Sequence, residues 1–409
     1  MIPNGRPLKT DNGNKLSRKR LLDLSQVFAV SAGALLLTVA ILNALRAEGT
    51  SSVVVNPDAE ITVASLLREM TDRVVVAACA DPVVDRARAV AAEYGIPEVY
   101  SSLDEMLDRS DLDIVVNLTP IPVHGETSLR ILAAGKHLVV EKPIATTMAE
   151  ADAIIDLGRT KGVKIVVAPP NMLQHNRREA KRLIAEGAIG QPCFARVRGS
   201  HGGPAAGAWP LDPTWFYQEG SGPLFDMGVY GIHDITGILG PAKRVVAYSG
   251  ITEKVRTVRA GPFAGKKIEV TADDNTLLML DFGNSTYAVV DGSFNVNAAK
   301  SPWAEIFGRA GTINIWNTNQ DPPMPPLEIF RLDAVPGVDG WITPRPRGNP
   351  DARLQKCRRA ILVDHLLDCI AEDRHPDLSA EHARHALEIM LKAVESARLG
   401  RVLDLTTTF

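Results

Sequence analysis

The chain has 409 residues, 45% of them hydrophobic, and a formal net charge of −3. That length favours two domains, each able to bury a sizeable core, and so small a charge gives no electrostatic case for a nucleic-acid partner. The four cysteines, Cys79, Cys193, Cys357 and Cys369, form no Cys-x-x-Cys pair, so neither a disulfide framework nor a metal site is expected and they read as small buried hydrophobes.

Met1–Asn14 is polar and rich in Gly, Pro, Asn and Lys, the composition of a disordered tail. Lys15, Arg18, Lys19 and Arg20 then precede Val27–Leu45, which carries no charge. Such a run is long enough to span a bilayer, with its basic flank left in the cytoplasm. The alternative is a buried helix. Residues 1–52 are set apart as an amino-terminal tail, with the rest expected in the cytoplasm and tethered to a membrane only if 27–45 is an anchor.

A dinucleotide-binding domain is expected over 53–168. Its first strand would be Ser52–Val55, yet Asn56-Pro57-Asp58-Ala59-Glu60 follows, without glycine and with two carboxylates. A G-x-G-x-x-G turn normally stands there, because main-chain amides must approach the pyrophosphate closely. Either cofactor affinity suffers here or another element supplies the contact.

From Arg73 the alternation of strand and helix is regular. Val74–Ala78 reads as a strand closed by Asp81-Pro82, Val83–Tyr94 as a helix ended by Gly95, and Ile96–Tyr100 and Leu103–Leu107 follow as strand and helix. An acid at the end of the second strand takes the adenosine ribose hydroxyls in such folds, which points to Asp81 and to NAD over NADP. Asp81 before Pro82 is equally the pattern of a helix cap.

Ile114–Leu118 is a short apolar run stopped by Thr119-Pro120; His124–Ala134 has a helical period, with Gly135 as its cap; Leu138–Val140 is a second apolar run ending in Glu141-Lys142-Pro143. Strand, helix and strand in so short a stretch make a βαβ unit with parallel strands, and ligands gather outside the carboxyl ends of such strands. Both Thr119-Pro120 and Glu141-Lys142-Pro143 fall at that edge. A helix over Met148–Thr160, Gly162 and a sixth strand over Val163–Ala168 complete the domain.

Residues 169–409 are expected to form an α+β domain. A helix over Arg177–Glu186 leads to a strand over Cys193–Arg198, and a Gly-, Ala- and Pro-rich loop at 199–213 is placed to close over a substrate. In the segment from Gly220 to His233, Asp226 and Tyr230 are four apart, so one helical turn points both at one ligand. Read without that ligand, Asp226 is a cap and Tyr230 a core aromatic. His175 and His233 are further pocket candidates, and Trp215, Phe216 and Tyr217 read as core. Strands are expected at Val245–Ser249, Glu269–Thr271, Thr276–Phe282, Thr286–Asp291, Trp303–Phe307 and Thr312–Trp316, joined as an antiparallel sheet. Residues 317–350, rich in proline, are expected to be irregular. Two amphipathic helices follow, one near Asp351–Glu372 and one from the Ser379 cap to Gly400.

Thr119-Pro120 with His124, Glu141-Lys142-Pro143 one helix later, and the segment Gly220-Ser221-Gly222-Pro223-Leu224-Phe225-Asp226-Met227-Gly228 together resemble the Gfo/Idh/MocA family of nicotinamide-dependent oxidoreductases. The resemblance covers roughly residues 62–405, including the phrase Arg182-Leu183-Ile184-Ala185-Glu186-Gly187 before the second domain. It implies a Rossmann domain followed by an α+β domain with a large, mostly antiparallel sheet. It also implies hydride transfer between NAD(P) and a hydroxyl carbon of a sugar, cyclitol or related small alcohol. Lys142, Asp226 and Tyr230 take the catalytic positions, although the family often has histidine where Tyr230 stands. Asp81, Thr119, Pro120, His124, Glu141 and Lys142 take the cofactor positions, and the family's sheet implies a homo-oligomer. The absent phosphate glycines leave open a non-enzymatic ligand-binding or regulatory protein on the same fold. Transient use of the same chemistry to cleave glycosides is a third reading.

Overall fold

The computed structural model describes residues 39–42 (main chain), 70, 73–108, 112–209, 212–316, 326–345 and 360–409. A six-stranded sheet holds β1 (Val39–Leu42), β2 (Val76–Ala80), β3 (Glu98–Tyr100), β4 (Ile114–Asn117), β5 (His137–Val140) and β6 (Ile165–Val167), in the order β3-β2-β1-β4-β5-β6. Strands β2, β4 and β6 are buried along their whole length, as strands covered on both faces must be. Between them run α1 (Val84–Tyr94), α2 (Leu103–Leu107), α3 (His124–Ala133) and α4 (Met148–Lys161). Helix α4 begins in a reciprocal cap: Thr147 Oγ1 accepts from the Glu150 amide, and the Glu150 carboxylate accepts from the Thr147 amide. Such a cap contributes about 1 kcal/mol and fixes where the chain leaves the β5 loop.

The central strand departs from expectation. Ser52–Val55 lies outside the described residues, and the slot between β2 and β4 is filled by Val39–Leu42, antiparallel to both neighbours. Val39 pairs with Ala80 and Asn117 at the carboxyl ends of β2 and β4, and Leu42 pairs with Val76 and Ile114 at their amino ends. The chain therefore leaves β1 at the edge opposite the ligand side. This also corrects the expectation of one membrane-spanning helix over 27–45, because its carboxyl part is a sheet strand. Among the described residues no helix is long and apolar enough to cross a membrane.

The second sheet has nine strands in the order β16-β15-β14-β13-β7-β12-β11-β8-β17. These are β7 (Pro192–Arg198), β8 (Arg244–Gly250), β11 (Asn275–Gly283), β12 (Thr286–Ser293), β13 (Ala304–Gly308), β14 (Gly311–Ile315), β15 (Leu327–Val335), β16 (Val338–Ile342) and β17 (Leu403–Asp404), while β9 (Val255–Thr257) and β10 (Lys267–Glu269) pair separately. All its pairings are antiparallel except β7 with β12. The stretch expected to be irregular holds the β15–β16 hairpin, a correction: its prolines lie before Leu327, after Ile342 and, as Pro336, in the turn between the two strands, so none interrupts a strand.

Helices α5 (His175–Ala185), α6 (Val229–Leu239), α7 (Ala360–Ala371) and α8 (Ala380–Leu399) complete the chain. The last two return to the first sheet, where Val167 N–H donates to Leu378 O (3.1 Å) and Arg73 pairs with Asp364 and Asp368. One continuous core thus ties both halves together and holds their facing edges in register.

Candidate active site

The loop after β4 is built around Asn117. Its Oδ1 accepts from the Thr119 amide (3.1 Å), and its Nδ2 donates to His124 O (3.2 Å) and Ser128 Oγ (3.0 Å). His124 then joins this loop to the next one. Its Nδ1 lies 2.7 Å from Pro143 O and its Nε2 lies 2.6 Å from Thr119 O. Burial lowers the pKa of this ring and the two carbonyls oppose the shift. The geometry makes His124 a brace between Thr119-Pro120 and Glu141-Lys142-Pro143, with both nitrogens occupied.

Glu141 N–H continues the strand pairing to Asn117 O (3.1 Å), and the Glu141 carboxylate accepts from the Lys142 amide (3.3 Å). That register sends Lys142 outward from the sheet edge toward the second half of the chain. Its Nζ donates to Asp226 O (2.7 Å) and to Asp226 Oδ1 (3.1 Å). Nζ also stands 5.1 Å from the centre of the Tyr230 ring. Both charged side chains are largely enclosed, 13% and 15% exposed.

Burial disfavours the Lys142 charge, and Tyr230, Asp226 and Glu141 outweigh it, so the ammonium is held above its ordinary pKa. Burial likewise works against the Asp226 carboxylate, yet Lys142 and His201 hold its pKa below the usual range. The pair is charged.

Asp226 sits on a widened turn, Leu224–Gly228, in which Val229 N–H reaches back to Leu224 O, and α6 follows directly with Tyr230 in its first turn. Gly222 (φ +94°) sets up this turn, and a Cβ there would lie 2.8 Å from Asp273 O. Gly199 passes on the other side, where a Cβ would lie 2.7 Å from Gly228 Cα.

The structure therefore brings Lys142, Asp226 and Tyr230 into one cluster, with Glu141 behind it and Thr119, Pro120 and His124 on the adjoining loop. Asp81 lies at the carboxyl end of β2, fully buried, with Oδ1 accepting from the Val83 amide (2.7 Å) and Oδ2 3.9 Å from Arg86 Nη1. Its carboxylate also helps burial push the Cys79 thiol up to about 12.

His233 is not in the cluster, which corrects its place as a pocket candidate. It faces the core, its ring 4.6 Å from that of His382, and burial with His385 nearby lowers its pKa to about 3. His175 opens α5 and joins none of these contacts. Phe216 and Tyr217 are core, as expected, and Trp215 stacks on Phe216 at 3.8 Å. An open cleft of about 650 Å³ beside Gln191, Phe282 and Asn284 carries no ionisable side chain and no means of catalysis. Among the described residues no cluster of His, Cys, Asp and Glu is arranged to hold a metal ion.

One residue near the cluster was not anticipated. His201, on the loop after β7, places Nε2 3.9 Å from Asp226 Oδ2. The loop was visible in the sequence; that it folds back over Asp226 was not.

Two family models match the chain: an oxidoreductase family with an NAD-binding Rossmann fold over residues 62–168, and the GFO/IDH/MocA C-terminal domain over residues 177–314. The chain belongs to the Gfo/Idh/MocA family. Levoglucosan dehydrogenase of Pseudarthrobacter phenanthrenivorans is 29% identical over 246 residues, 56% of this chain and 61% of that protein. The scyllo-inositol 2-dehydrogenase (NAD(+)) of Bacillus subtilis is 23% identical over 327 residues, 80% of this chain and 87% of that protein. Among solved structures, an NAD-binding oxidoreductase from Klebsiella pneumoniae superposes with a TM-score of 0.71 at 22% identity, covering 86% of this chain and 95% of that one. That likeness shows the family's fold.

The family's cofactor is NAD, and the residues of this chain fit it unevenly. A buried carboxylate ends β2, and the braced Thr119-Pro120 loop and Lys142 stand at the ends of β4 and β5, where ribose and nicotinamide would lie. Between them, reversed β1 brings no glycine turn to that edge from its carboxyl end.

Proposed function

We propose that this chain is an NAD-dependent dehydrogenase that oxidises a secondary hydroxyl of a sugar or cyclitol, reversibly. The observation that carries this reading is the convergence of Lys142, Asp226 and Tyr230 from two halves of the chain on the carboxyl edge of a Rossmann sheet. Relatives whose names specify levoglucosan, D-xylose and inositol as substrates support the sugar and cyclitol class.

Bound NAD supplies the hydride acceptor. Asp81 would hold the adenosine ribose hydroxyls, favouring NAD over NADP, and Thr119 and Pro120 would line the nicotinamide end, with His124 and Glu141 fixing the backbone around Lys142. The Lys142 ammonium orients the reacting hydroxyl and stabilises negative charge on its oxygen as the C–H bond breaks. Tyr230, beside that ammonium, or a water takes the hydroxyl proton. Asp226 keeps Lys142 charged and accepts a hydrogen bond from the substrate. In this reading the cofactor domain takes 53–168 together with Val39–Leu42, which correct the expected 1–52 tail by filling the middle of its sheet, and 169–409 form the substrate domain.

The open face of the second sheet carries Tyr248, Leu277, Met279 and Tyr287, all exposed and adjacent across β8, β11 and β12. A second copy of the chain covering that face fits an apolar patch of this kind.

The reversed β1 favours one other reading, a protein of the same fold that binds a sugar without oxidising it. Absorbance at 340 nm with NAD and a panel of pyranoses, anhydrosugars and cyclitols decides. NADH formation with a member of the panel supports the dehydrogenase; binding of the sugar without NADH supports the other.

A further inference from the structure

His201 is held in one orientation by its surroundings. Its amide donates to Ser293 O (3.0 Å), its carbonyl accepts from the Val296 amide (3.3 Å), and its ring leans on Phe294 with centroids 5.2 Å apart. Nδ1 accepts a hydrogen bond from the Gly203 amide (2.9 Å), so the proton of the neutral ring sits on Nε2. Nε2 lies 3.9 Å from Asp226 Oδ2, while the other carboxylate oxygen is held by Lys142 at 3.1 Å. At 3.9 Å donor and acceptor do not bond each other. They can both reach one oxygen set about 2 Å to the side of the line joining them, since each such bond is about 2.8 Å long.

A pure donor facing a pure acceptor across that gap is the complement of a hydroxyl group, which accepts at its lone pairs and donates its proton. Neither a carbonyl nor an ether oxygen satisfies both partners. The two oxygens of Asp226 serve neighbouring places, one beside Lys142 and one beside His201. We propose that His201 and Asp226 form a subsite for a second substrate hydroxyl, adjacent to the one that Lys142 holds, so that the substrate is a vicinal diol oxidised at the carbon nearer Lys142. This rests on the dehydrogenase reading for the identity of the reacting hydroxyl. The subsite itself is a binding property. His201 is 39% exposed, at the mouth of the site, where it can select a substrate without being buried before one arrives.

The test uses the full chain with scyllo-inositol, D-xylose and levoglucosan beside their monodeoxy analogues. Binding is measured by calorimetry with NADH present, and turnover with NAD. In the wild type the diol binds at least tenfold more tightly than the analogue lacking the neighbouring hydroxyl. His201→Ala raises Kd and KM for the diol about tenfold, changes kcat by less than about threefold, and leaves the deoxy analogue unaffected. His201→Asn, which keeps an N–H donor, recovers part of the loss, and an unchanged melting curve shows that both variants fold. Equal effects of His201→Ala on diol and deoxy compound, no effect on either, or binding of none of the three sugars would overturn the subsite. Selective binding without NADH formation would instead sink the dehydrogenase reading and leave the subsite standing.

Discussion

Lys142 Nζ is bonded twice to Asp226, at the main-chain carbonyl (2.7 Å) and at the carboxylate (3.1 Å), so the end of β5 is tied to the turn that begins α6. The contact joins the two sheets' territories at the point where substrate and nicotinamide would meet. Replacing Lys142 by methionine removes the cation and leaves Asp226 charged in an enclosed site. We expect kcat/KM to fall roughly 10³-fold, by analogy with the loss of a transition-state donor. Stability should fall about 3 kcal/mol, as when one partner of a buried ion pair is lost. Adding Asp226→Asn should restore much of the stability and none of the activity, measured by urea unfolding and initial rates.

Tyr230 differs in kind. Its ring lies 5.1 Å from the same ammonium, and its proposed task is to carry a proton. Tyr230→Phe keeps the ring and removes the hydroxyl. The expected outcome is a roughly 10²-fold loss in kcat with KM nearly unchanged. A change confined to KM would assign Tyr230 to binding.

Six histidines, five buried and His137 partly so, make the fold acid-sensitive. Burial lowers His137, His365 and His385 to about 4 and His233 to about 3, and it lowers His124 and His382 as well. Unfolded, each takes a proton near pH 6.5. Between about pH 6.5 and 4 the unfolded chain therefore binds more protons, and stability is lost as pH falls through that window. By pH 5 the cost is roughly 1–2 kcal/mol for each histidine that stays neutral. Urea unfolding at pH 7.5, 6 and 5 measures it, and His233→Leu should flatten the slope.

The exposed apolar face of the second sheet leads to an oligomeric expectation. Leu277 and Met279 are 51% and 46% exposed and point to the same side of β11. If that face is shared between copies, sedimentation should show an oligomer, and Leu277→Asp with Met279→Asp should release monomers whose melting curve is otherwise intact.

Much of this was legible in the residues because local spacing carries it. The βαβ unit ending in Lys142 and the four-residue step from Asp226 to Tyr230 need only strand and helix periods to be placed. The turn before Tyr230 is wider than a regular α-turn, yet both side chains still reach Lys142. What stayed hidden depends on partners far along the chain. His233 has the spacing of a pocket residue, and its burial is decided by His382 on α8. His201 belongs to a loop whose path is set by Ser293 and Phe294. The direction of β1 was unreadable for a similar reason. A short apolar run fits the slot between β2 and β4 either way round, and Val39–Leu42 carries no turn signal that fixes it.

The central claim, hydride transfer from a hydroxyl carbon held by Lys142, is tested most directly by isotope transfer. Wild type and Lys142→Met are incubated with NAD and ring-deuterated glucose, xylose and inositol, and the nicotinamide is weighed by mass spectrometry. The account predicts reduced nicotinamide heavier by one deuterium with the wild type and none with the variant. Cofactor that binds the wild type yet gains no deuterium from any of them, or equal labelling by both proteins, would contradict it.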